Sequence, residues 1–122
     1  MTEEELRDYC YSIGLVDREV PKSFGFFHKK GYRYNGQFVR PIDYIAAWDE
    51  EKQCVVVAKS CVIDEDFSYE KYIRMDGSYV IQNDEQIKAS IDDLIKSVQE
   101  KIKSLKLEET KKRIKKMEGD FK

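Results

Sequence analysis

The sequence predicts an α+β domain: a short N-terminal helix, an antiparallel sheet of five or six strands, and a long C-terminal amphipathic helix. Three observations predict it. A capping box opens the chain at Thr2-Glu3-Glu4-Glu5, and two hairpin-type turn signals, Asn35-Gly36 and Asp76-Gly77, lie among alternating apolar residues between Phe24 and Gln82. Finally, one apolar pattern of helical period runs from Asn83 to Met117 with neither proline nor glycine in it. At 122 residues and 41% apolar, the chain fits one domain with a modest core. Residues 1–82 (helix plus sheet) and 83–122 (helical segment) therefore read as parts of the same domain.

The first helix follows from its cap. The Thr2 hydroxyl can accept from the Glu5 amide while the Glu5 carboxylate reaches back, and Leu6, Cys10 and Ile13 then recur at helical spacing. Gly14 suits a left-handed terminator, with Leu15 folding back onto Cys10, which makes Cys10 a core residue. Residues 17–23 read as a loop.

Strand signals come next. Asn35-Gly36 predicts a type I′ turn joining Tyr32-Arg33-Tyr34 to Gln37-Phe38-Val39, with Tyr32 opposite Val39 and Arg33 opposite Phe38. Pro41 lacks a ladder donor, so the chain changes partner there before a strand from Ile42 to Trp48. The polar connection Asp49-Glu50-Glu51-Lys52 leads into Cys54-Val55-Val56-Val57-Ala58, apolar on both faces and so a central strand. Asp76-Gly77 predicts a second tight hairpin, from Tyr72–Met75 to Ser78–Ile81.

Asn83 caps the long helix, and Asp84 and Glu85 suit the positive end of its dipole. Its stripe is Ile87, Ile91, Leu94, Val98, Ile102 and Leu105. A second phase, Leu107, Thr110, Ile114, Met117 and Phe121, starts on another face, so the helix either breaks near Ser104 or changes partner there; Gly119 suits a terminal cap. About 34 helical residues span on the order of 50 Å, more than a compact globule of the preceding residues would measure. The stripe is therefore expected to need a second copy of the chain, making the protein a homodimer through Ile87, Ile91, Leu94, Val98, Ile102 and Leu105.

Charge is regional. The chain has 22 bases and 24 acids, which argues against global attraction to polyanions or membranes. Residues 20–47 hold five bases against one acid, residues 48–99 six against twelve, and residues 100–122 nine against five. The acidic start does not resemble a signal peptide and no run matches a membrane span; with Cys10, Cys54 and Cys61 an odd, unspaced set, the expectation is a reducing cytoplasm without disulfides.

The binding candidate is the stretch from residue 24 to residue 40, where aromatics interleave with bases: Phe26, His28, Lys29, Lys30, Tyr32, Arg33, Tyr34 and Arg40. Aromatic faces can stack bases while cations meet phosphates, which would make a nucleotide or nucleic-acid binder. Alternation is equally what a half-buried strand shows. A second alternative sets Asp43 with Glu50 and Lys52 as a metal-dependent nuclease, although Glu50 and Lys52 fall in an expected turn. Asp64-Glu65-Asp66 lacks the glycine and distal glutamate of a calcium loop, and His28, the only histidine, excludes two-histidine metal schemes. No catalytic residue, metal or cofactor is assigned. The sequence reading is a small non-catalytic protein binding a protein partner stoichiometrically, an adaptor or inhibitor like those of phages and mobile elements, by analogy of size and composition alone.

Overall fold

The structure, a computed structural model, describes residues 1–19, 28–40, 43–68 and 70–120, without the side chains of 18–19, 28–30 and 114–120. Helix α1 (Glu3–Ser12) precedes strands β1 (Val16–Glu19), β2 (His28–Arg33), β3 (Ala46–Asp49), β4 (Cys54–Glu65) and β5 (Lys71–Ile81), and helix α2 (Asp84–Asp120) follows. The five strands form one antiparallel sheet in sequence order. The predicted α+β class holds.

Helix α1 starts and stops where its residues direct. The Glu5 amide donates to the Thr2 hydroxyl at 3.2 Å and the Thr2 amide to the Glu5 carboxylate at 3.4 Å, so both halves of the capping box form. Gly14, at φ +89°, lets Leu15 N–H reach the Cys10 carbonyl at 2.9 Å while Gly14 N–H bonds that of Tyr11, a Schellman ending. Leu6 and Cys10 are thereby turned fully inward.

Three strand expectations are corrected. Residues 16–19, placed partly in a loop, form β1 and pair with β2, Tyr32 lying opposite Asp17 and not Val39. No hairpin forms at Asn35-Gly36, because Tyr32 is already paired on both sides, to β1 and to Ala46 of β3. Gly36 serves close packing instead: a β-carbon there would run into the Tyr34 ring. The second expected hairpin is also absent. Asp76 and Gly77 lie inside β5, which runs unbroken against β4 from Val55↔Ile81 to Glu65↔Lys71, and Gly77 takes φ +70° within it. An Asp-Gly pair can lie inside a strand when another residue makes the turn. Here it is Asp66, whose carboxylate accepts from the Ser68 amide at 2.9 Å, the Ser68 hydroxyl at 2.7 Å and the Glu70 amide at 3.0 Å.

The long β4–β5 hairpin explains the long helix. Tyr79 Oη donates to Ser90 Oγ at 3.0 Å near one end, and Lys71 Nζ meets Glu108 at 3.0 Å near the other. The eight strand residues between these ties span about 26 Å and the eighteen helical residues about 27 Å. Helix and strand therefore run antiparallel in step. Asn83 Oδ1 accepts from the Gln86 amide at 3.1 Å as the cap predicts.

That match corrects the expected dimer surface. Ile87, Ile91, Leu94, Val98, Ile102 and Leu105 are all buried within one chain, in a core with Leu6, Cys10, Tyr32, Ile45, Val55, Val57, Ile73 and Ile81. The expectation treated the preceding residues as a sphere; strands of 12 and 11 residues build a longer platform. The helix does not break near Ser104, and it runs through Gly119 to Asp120. Beyond Glu108 it continues for about 18 Å at ~1.5 Å per residue, and Leu107 is 56% exposed.

Candidate functional site

The expected aromatic and basic surface is divided by the fold. Phe26 lies outside the described residues, and His28, Lys29 and Lys30 are described only as backbone of β2. Tyr32 is not a surface contact: it is fully buried, edge-on to Tyr11 with ring centroids 6.2 Å apart, and burial pushes its phenol up to about 12. Arg33 and Tyr34 are half-buried, Tyr34 packed against the core.

Arg40 has a structural task. Its Nη2 and Nε bond the Asp43 carboxylate at 2.8 and 3.3 Å, and its guanidinium lies 5.2 Å from the Tyr72 ring centre. Asp43 Oδ2 also accepts from the Met75 amide at 2.9 Å, Ile73 N–H donates to the Phe38 carbonyl at 2.8 Å, and Arg40 N–H donates to the Ile73 carbonyl at 3.5 Å. Phe38, Arg40 and Asp43 thus close the outer edge of β5 around Ile73 and Met75. The nuclease arrangement does not assemble: Asp43 is committed to this closure, while Glu50 and Lys52 lie in the turn at the far end of β3, where Asp49 Oδ1 accepts from the Glu51 and Lys52 amides. Among the described residues no three His, Cys, Asp or Glu side chains are placed to hold a metal ion.

Cys10, Cys54 and Cys61 are unbridged. Burial pushes the Cys10 thiol up to about 12 and raises that of Cys54, the direction that weakens a nucleophile; Cys61 Sγ contacts Ser97 Oγ at 3.3 Å between β4 and α2. Tyr9 is also raised to about 12, by burial and then by its 2.7 Å bond to Asp92, which ties α1 to α2. These shifts belong to packing.

A different surface lies on the second half of β5. From Ser78 to Ile81 the strand pairs with β4 on one side, and no described residue pairs with the other. Tyr79 is 38% and Val80 44% exposed there. A groove runs alongside, with Tyr79 to Asn83 as one wall and Gln86, Ala89, Ser90 and Asp93 of α2 as the other. Val80 lies opposite Val56 on the sheet face away from α2, and Tyr79 lies opposite Val57 on the helix face. Comparison with protein-family models, curated proteins and solved structures finds no match to this chain.

What such an edge can do is bind backbone. In an antiparallel strand, alternate N–H and C=O groups point away from the existing neighbour, and an added strand satisfies them. The opposite edge of the sheet is protected: β1 is four residues long and three of them, Asp17, Arg18 and Glu19, are charged. Sequence reasoning missed the β5 surface because it paired Ser78–Ile81 with Tyr72–Met75. The isolated Asp-Gly inside an otherwise strand-like run was the available signal. No helix among the described residues is long and apolar enough to cross a membrane.

Proposed function

We propose that the protein acts by stoichiometric, non-catalytic association with a protein partner, as an adaptor or inhibitor. One observation carries this reading: the Ser78–Ile81 half of β5 presents backbone and exposed apolar side chains together, beside a helical wall. Leu107 and Phe67 are also exposed, but single apolar residues on a surface are ordinary. The phage or mobile-element setting remains an analogy of size and composition. Nucleic-acid binding is the weaker reading, since Tyr32 is core and Arg40 is engaged with Asp43.

Affinity capture from source cells, followed by light scattering of the complex rebuilt from purified components, tests the proposal. The expected result is one complex whose mass is a whole-number sum of the two chains. Release only by nuclease treatment, with no protein partner rebuilding a complex, would overturn it.

A further inference from the structure

We propose that the groove between β5 and the first half of α2 takes an extended, basic segment of another protein as a sixth strand. The inference rests on the protein-binding reading and adds the place and chemistry of the contact.

Three features set the occupant. First, the stretch of β5 that no described residue pairs on its outer side, Ser78–Ile81, is four residues long, so at ~3.3 Å per residue it accepts an extended stretch of about four or five residues. A helix would leave the outward N–H and C=O groups of Ser78–Ile81 without partners, whereas a strand bonds them directly. Second, side chains of the added strand alternate between two environments. On one face they continue the row of Val56 and Val80, which favours β-branched residues; on the other they meet Tyr79, Ser90 and the exposed carboxylate of Asp93.

Third, the lining of the groove contains Asp93 and no lysine or arginine. Asp93 is the one charged side chain in that lining. A second copy pairing edge to edge about a two-fold axis would set one Asp93 carboxylate against its like in the partner groove. A lysine or arginine at alternate positions of a different chain supplies the complement, and the same carboxylate that attracts it opposes self-pairing.

A displayed library of random ten-residue peptides, selected on the full-length protein, tests this. The enriched peptides should alternate apolar residues with lysine or arginine. They should bind at least tenfold more weakly to Asp93→Lys, which reverses the groove charge, and to Ala89→Trp, which fills the groove; both positions are exposed on α2, so folding should be kept, as circular dichroism would verify. Peptides that bind both variants as tightly as the parent would overturn the groove while leaving protein binding standing elsewhere. Enrichment of acidic peptides, or of none, would overturn the basic strand. A parent dimer at tens of micromolar that Ala89→Trp dissociates would give the groove to a second copy and overturn the proposal too.

Discussion

The two halves of β5 share a strand, a partner and a register, yet differ in what lies along their outer edge. Around Ile73 and Met75, Phe38 supplies a carbonyl, Arg40 an amide and Asp43 a carboxylate. Over Ser78–Ile81 no described residue does so, and the wall beside it is the first half of α2. Gly77, at φ +70°, marks the boundary. Three residues between β2 and β3 thus serve one half of a sheet edge. Closing an edge by chain is the structural use; leaving four residues with exposed Tyr79 and Val80 is the arrangement that strand addition requires.

The largest expected effect concerns the platform beneath both halves. Replacing Leu94 and Val98 with glutamate should unfold the protein, because each places a carboxylate in the core that α2 shares with the sheet, at a cost of several kcal/mol. Urea unfolding followed by circular dichroism measures it. A folded double variant would put the stripe on a surface instead.

Next is the closure itself. Asp43→Ala removes the acceptor for the Met75 amide and the partner of Arg40, and should cost about 1–3 kcal/mol. Loss of protection at Ile73 and Met75, with Ser78–Ile81 unaltered, would show that the two halves are closed independently. Gly77→Ala should cost about 1–2 kcal/mol, since a side chain there must adopt a left-handed backbone. If it is neutral in a denaturant titration, position 77 does not hold the left-handed backbone at a cost that only glycine escapes.

The smallest effect is that of pH on the hairpin tip. Asp66 is held below the usual carboxylate range by the Ser68 hydroxyl and then the Glu70 amide, Asp64 by the Glu65 amide and then Arg74, and Glu108 by Lys71. Lowered folded-state values contribute stability above the unfolded carboxyl range, about pH 4, and lose it as pH falls through the folded values. Asp66 is exposed and Asp64 and Glu108 are half-exposed, so the change should be slight. Thermal melts between pH 7 and pH 2.5 should fall less steeply in Asp66→Asn than in the parent.

How much of this was legible depended on whether the signal was local. The caps at Thr2 and Asn83 and the stop at Gly14 are set by residues within five positions, and each formed as read. Every member of the α2 stripe was identified, but not what covers it, because that depends on the length of a hairpin joined by Asp66. The two glycine turn signals failed for one reason: pairing is a competition, and Tyr32 and Ser78–Ile81 found distant or longer partners than the nearest strand-like run. At the site, the aromatics were visible as a class, but strand order decides which are core. Tyr32 became core, and the stretch of β5 that no described residue pairs on its outer side could be seen only once that order was known.

The most direct test of the central claim is amide hydrogen exchange along β5 in the free protein, residue by residue. The account predicts slow exchange at Ile73 and Met75, whose amides are bonded to the Phe38 carbonyl and the Asp43 carboxylate, and fast exchange at alternate amides from Ser78 to Ile81. Uniform protection of all four amides from Ser78 to Ile81, at the level of Ile73, would mean that this edge is already closed and would contradict it.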